Sequence, residues 1–95
     1  MDISTSDNTI TIVGNIKSVS DFQDIKTAID AVVRHHDSIK LKVVDSLSIT
    51  SSVIGYLNKL ILKDKINMVL EVGDKQLMDL LEDLNLTELF KARKV

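Results

Sequence analysis

The chain contains no cysteine, no proline and no tryptophan. Without cysteine there can be no disulfide, no thiolate metal ligand and no thiol nucleophile. Aromatic residues amount to Phe22, Tyr56 and Phe90, so the core must be built from Ile, Leu and Val rather than around an aromatic-lined ligand cavity. The glycines, Gly14, Gly55 and Gly73, are scattered and form neither a GxGxxG nor a Walker pattern, which removes the usual phosphate cradles. A basic excess is missing as well. Twelve Lys and Arg face fourteen Asp and Glu, a formal net charge of −2, whereas non-specific nucleic-acid affinity comes from neutralising phosphates. Nucleic acid is therefore not expected as a partner. No apolar stretch approaches the ~20 residues that span a bilayer, and Met1 to Thr5 has neither the basic start nor the apolar run of a secretory leader. A cytoplasmic chain without membrane insertion is the expectation.

What is present suits one domain over residues 1–95. A hydrophobic share of 44% supplies a core, and 27% charged residues supply a solvated exterior. Thr9 to Val13 alternates polar and apolar residues, the period of a half-buried strand. Asp2 to Thr5 fits a short partner strand across a Ser6-Asp7-Asn8 turn. Ser18 or Ser20 then caps a helix carrying Phe22, Ile25, Ile29, Val32 and Val33 at helical spacing, with Asp21 and Asp24 in its first turn and its end near His36. Ile39 to Val44 alternates again, with Lys40 and Lys42 opposite Ile39, Leu41 and Val43. A second helix is expected from about Ser52 to Leu62, a strand over Ile66 to Val72, and a third helix capped by Asp74 with Leu77, Leu80, Leu81 and Leu84 on its apolar side. A last short strand falls near Phe90 to Arg93. The β-β-α-β-α-β-α-β order predicts an α/β fold: a mixed four- to five-stranded sheet, a hairpin followed by parallel crossovers, with helices mainly on one face.

Catalytic equipment is hard to find. His35 and His36 are adjacent, and neighbours on a helix point about 100° apart, so they cannot share a metal as an i, i+4 pair does. They read as histidines at the negative end of a helix. Glu82 and Asp83 read as surface charge, and no base is paired with any of the many serines. The expectation is no enzyme, no metal and no cofactor.

One segment stands out. Ser48-Ile49-Thr50-Ser51-Ser52-Val53-Ile54-Gly55-Tyr56-Leu57 puts a run of hydroxyls at a strand-to-helix junction. A single Ser or Thr suffices to cap a helix. Three successive hydroxyls exceed that need, and an exposed helix start also tolerates an added or bound anion. Both readings stay open on spacing alone.

Thr50-Ser51-Ser52-Val53-Ile54-Gly55 resembles the Asp-Ser-Ser-Gly-Leu-Gly motif of the STAS family, the sulphate-transporter and anti-sigma-antagonist domain. The turn Val13-Gly14-Asn15-Ile16, the strand end Val43-Val44-Asp45 and the stretch Leu80 to Phe90 are similar to further family landmarks, so the resemblance covers nearly the whole chain. It implies the STAS-like α/β fold and a regulatory protein-binding module. In the anti-sigma-antagonist branch the first serine of the motif is phosphorylated by a partner kinase that is also the anti-sigma factor. The resemblance thus nominates Ser51 as phosphoacceptor, or Ser52 if the one-residue-shorter connection shifts the register. It places partner contacts at Asn15, Ile16, Thr50, Ser51, Ser52, Val53, Ile54 and Gly55. Thr50 stands where the family has Asp, and Val53 puts a branched side chain where its glycine lets a partner approach. Two alternatives follow from the same resemblance: a constitutive adaptor without the switch, and a nucleotide- or anion-sensing domain. The final helix of many relatives is not found before Val95, which implies an uncovered face open to a partner or to self-association.

Overall fold

The structure, a computed structural model, describes all residues 1–95. The chain opens with a hairpin of β1 (Asp2–Ser6) and β2 (Thr9–Val13). Asp7 turns it at φ 56°, a left-handed conformation that Asp tolerates better than most residues. Ser18 then caps α1 (Val19–Val33) in a reciprocal capping box: its hydroxyl accepts from the Asp21 N–H, and the Asp21 carboxylate accepts from the Ser18 N–H. The Lys17 N–H donates to the same carboxylate, the main cause holding Asp21 below the ordinary aspartate range. The helix stops at Val33 with Arg34 as its C-cap, short of the expected His36. His35 falls in the following turn and His36 just past it, its Nε2 lying 3.8 Å from Asp7 Oδ1.

β3 (Ser38–Val43), α2 (Ser51–Leu62), β4 (Asn67–Val72), α3 (Lys75–Asp83) and β5 (Ala92–Lys94) complete the order. The strands lie 1-2-3-4-5 across one sheet, β1 antiparallel to β2 and the other neighbours parallel. Successive right-handed crossovers that always step the same way put all three helices on one face. Under them the register aligns Ile10, Leu41 and Leu70 in one row and Ile12, Val43 and Val72 in the next. These rows, with Ile25 and Ile29 of α1, Leu57 and Leu60 of α2, and Leu77 and Leu81 of α3, form one buried cluster. Each fully buried aliphatic side chain contributes roughly 1.5–3 kcal/mol.

One clamp between α1 and α2 refines the packing. Tyr56 of α2 donates its hydroxyl to the Asp30 carboxylate of α1, which also takes Lys26 at 2.8 Å, and the Phe22 ring meets Tyr56 edge-on. Burial and the adjacent Asp30 carboxylate raise the phenol above its ordinary value. For Asp30 itself, burial pushes upward but the bonds from Lys26 and Tyr56 outweigh it, and the net shift is downward.

The end of the chain differs from expectation. Phe90 is not in a strand: it is fully buried in the turn before β5, its carbonyl accepting from the Leu70 N–H. Lys91 follows at φ 49°, which breaks extended structure, so the strand starts only at Ala92. Leu84, expected on the apolar side of α3, caps the helix and is 47% exposed.

Candidate functional site

At the carboxyl end of the parallel strands the β2–α1 loop and the β3–α2 loop run side by side and are tied by their own side chains. The Gly14 N–H donates to Asp45 Oδ1 at 2.7 Å, and the Leu47 N–H donates to Asn15 Oδ1 at 2.9 Å. Between them the Ile16 N–H donates to Ser46 Oγ at 3.0 Å, and that hydroxyl donates to the Ser48 carbonyl at 2.7 Å. Ser48 Oγ reaches the Ile16 carbonyl at a longer 3.4 Å. Ser46 is fully buried, and a buried hydroxyl that both accepts and donates meets the requirement that such groups be satisfied. Gly14 sits at φ 100°, a conformation open to glycine and strained for other residues; a Cβ there would also press on Met1 at 3.0 Å.

The chain leaves this tie and enters α2. Thr50 is the N-cap, its Oγ1 accepting from the Val53 N–H at 3.3 Å. With the cap supplied by Thr50, the hydroxyls of Ser51 and Ser52 make no protein hydrogen bond and both residues are exposed in the first turn. The hydroxyl run therefore divides into one capping residue and two spare ones. No acidic side chain stands in that turn, so nothing of like charge opposes an anion at the positive end of the helix.

Of the eight residues expected to meet a partner, the structure gathers all on these two adjoining segments but turns two inward. Ile16 and Val53 are each 1% exposed and belong to the core; they hold the loop and helix down and offer no side chain to a partner. The expectation that Val53 would stand in a partner's way is thereby corrected, because the first turn of an amphipathic helix directs this position at the sheet. Asn15, Ser51, Ser52 and Gly55 are exposed, and Thr50 and Ile54 are half-buried. A Cβ at Gly55 would meet nothing within 4 Å, so this glycine answers to no crowding within the chain.

Sequence reasoning missed Asp45, Ser46 and Ser48 as the residues that shape the corner. Their partners lie about thirty positions away along the chain, and no local pattern marks such a bond. It missed a second feature too. Among large apolar side chains exposed away from the termini, Val13, Val19, Val44 and Leu47 surround this end, and only Leu62 and Leu84 lie at the other. The clefts of the molecule lie elsewhere, the largest (about 420 Å³) between α1 and the edge strand β1, lined by Ile3, Asp24, Thr27 and Ala28 among others. No three His, Asp or Glu side chains converge as a metal site, and no helix is long and apolar enough to cross a membrane.

Comparison with known protein families, characterised proteins and solved structures finds no match to this chain. The architecture is that of a small α/β domain with a mixed five-stranded sheet and three helices on one face, consistent with a STAS-like fold and compatible with a small protein-interaction module.

Proposed function

We propose that this chain is a regulatory protein-binding module, resembling an anti-sigma-factor antagonist, whose partner reads the corner formed by Asn15 and the Thr50–Gly55 helix start. The observation that supports it most is the division of labour among the hydroxyls. Thr50 caps α2, and Ser51 and Ser52 are left exposed and unbonded at the end of the molecule that also exposes Val44 and Leu47. An exposed apolar fringe around a rigidly tied loop pair suits a protein partner. The shape argues against a nucleotide bound at the corner itself, since the clefts lie away from it and a small ligand needs concavity.

Ser51 is the proposed phosphoacceptor, with Ser52 the neighbouring choice. A phosphate there adds about −1.5 to −2 charge at pH 7 at the positive end of α2, where the folded domain tolerates it, and against an apolar fringe, where a docked partner does not. Phosphorylation would then release the partner while the domain stays folded. The module works as a binder, and no step of catalysis is assigned to it.

The test is intact-mass and fragment analysis of the protein isolated from its own cells, together with cross-linking from a photoreactive residue at Leu47. One added phosphate, lost in Ser51→Ala and kept in Ser52→Ala, is expected, with the cross-linked partner recovered only from the unphosphorylated form. Phosphate on Ser52 moves the switch by one residue. Partner recovery with no phosphate in any growth condition leaves a constitutive adaptor. Cross-links that arise only from sites remote from the corner overturn the proposal.

A further inference from the structure

The face of the sheet opposite the helices is unusual in two respects that bear on each other. Four of its five strands are parallel, and parallel sheets are normally covered on both faces. Here one face is bare, and it is cationic. Alternation that sends Ile39, Leu41 and Val43 to the core sends Lys40 and Lys42 to this face, in register with Thr9 and Thr11 on one side and Val69 and Glu71 on the other. Arg93 of β5 extends the row beyond Glu71, and Lys91 reaches its margin by donating to Asn67 Oδ1 at 2.7 Å. Four cations thus share the face with two carboxylates, Glu71 and, on the edge strand, Asp2. The remaining surface of a chain with net charge −2 holds eight of the twelve basic residues and twelve of the fourteen acidic ones.

The carboxylate at the centre does not neutralise the patch. Glu71 is 7% exposed and already occupied, with Arg93 at 2.6 Å and Lys40 at 3.6 Å. Lys42, between Thr11 and Glu71 on the central strand, forms no ion pair and donates no hydrogen bond within the chain. Lys42 is half-buried as a residue, and its ammonium keeps all its donors free of partners within the chain.

We infer that this open face is a second docking surface, and that its occupant is an extended acidic segment of a partner protein with carboxylates at alternate positions. Lys40 and Lys42 are two residues apart on one strand, about 6.6 Å at roughly 3.3 Å per residue, the same repeat that an extended segment gives its alternate side chains. A nucleic acid fits less well: the face has no aromatic ring on which a base could stack, since Phe22, Tyr56 and Phe90 all lie on the helical side or in the core. A second copy of the chain would have to bring its acidic helical side to this face. Such a contact joins unlike patches and propagates without closing unless it forms a ring. The surface is separate from the corner that carries Ser51, so the inference stands or falls independently of the proposed switch and would let one domain hold two partners.

The test is an amide NMR titration of the intact protein with a peptide of alternating Glu and Thr, against the same peptide with Gln for Glu and against oligothymidylate. Shifts at Thr11, Lys40, Lys42 and Arg93 with the acidic peptide only, weakening as salt is raised, are expected. The Lys40→Gln/Lys42→Gln double variant should bind about fivefold more weakly, with the methyl signals of Ile10, Leu41 and Leu70 unmoved to show that the fold is intact. Absence of shifts on this face, shifts confined to the corner, or a stronger response to oligothymidylate overturns the inference. So does concentration-dependent broadening of these amides without peptide that the double variant abolishes, because a second copy would then be the occupant.

Discussion

Between Ser46 and Ser52 the chain carries five hydroxyls, and two neighbouring regions use them differently. In the loop Asp45–Ser48 they serve as internal fittings: Ser46 is fully buried and bonds in both directions, and Ser48 bonds across to Ile16. In the first turn of α2, Thr50 alone is engaged, and Ser51 and Ser52 face solvent without a protein partner. The difference does not follow from residue type. It follows from which backbone groups lie within reach: the loop faces the buried Ile16 N–H of a neighbouring loop, while at the helix start Thr50 caps the Val53 N–H and the Ser51 and Ser52 hydroxyls bond to no backbone group. A hydroxyl that satisfies a buried donor is part of the fold. One that satisfies nothing is available for modification.

That contrast can be broken in several ways. Both regions rest on the core beneath them, so removing Leu57, which is fully buried under α2, sets the upper limit. Leu57→Ala should lower unfolding free energy by about 2–5 kcal/mol in urea denaturation. Ser46→Ala comes next. It leaves the Ile16 N–H buried without its acceptor, a loss of about 1–3 kcal/mol, and hydrogen exchange should accelerate at Ile16 and Leu47. A loss under about 0.5 kcal/mol would mean that water replaces the hydroxyl and the loop tie is not structural. Thr50→Ala should cost about 1 kcal/mol, confined to fraying of the first turn of α2. An unaffected α2 would show Ser51 taking over the cap, which would remove it as a free acceptor.

The other capped helix adds a pH dependence. Asp21 titrates below its unfolded value because Lys17 and Ser18 N–H groups bond its carboxylate. The stabilisation is therefore present above the ordinary aspartate pKa of 3.8 and is lost as pH falls through the lower folded value. Asp21→Asn should reduce the acid sensitivity of the urea midpoint below about pH 4, with a smaller effect at neutrality than Thr50→Ala. Smallest of all, Ser51→Ala and Ser52→Ala should each change stability by less than about 0.5 kcal/mol. A larger loss at either would show a structural role for that hydroxyl and remove the contrast altogether.

Much of the fold was legible because it is periodic. Alternation in Thr9–Val13 and Ile39–Val43 and helical spacing from Phe22 to Val33 are local, and the Ser18 and Asp74 caps stand where the patterns begin. Boundaries moved where a tertiary demand overrode the pattern. Phe90, with its bulk needed in the core, and Lys91, with its positive φ, delay the last strand, and α2 begins one residue early because Thr50 takes the cap. The site was legible as a place but not as a surface. The motif located the helix start, and helical spacing alone puts Val53 on the inner side of α2, yet whether Ile16 points outward depends on how two loops about thirty residues apart are tied, and Asp45 and Ser46 carry no local mark of that bond.

Gly73 follows β4 directly with its N–H bonded to the Val43 carbonyl, and a Cβ at this position would collide with the carbonyl of Val44. The residue after Val44 is Asp45, whose carboxylate anchors Gly14. Position 73 is thus a remote handle on the corner: adding a single methyl group there would push the β3 exit and, through the covalent chain, loosen the far loop. The geometry of the recognition surface can be detuned from the residue that follows β4, without changing the identity of any side chain that a binding protein would touch.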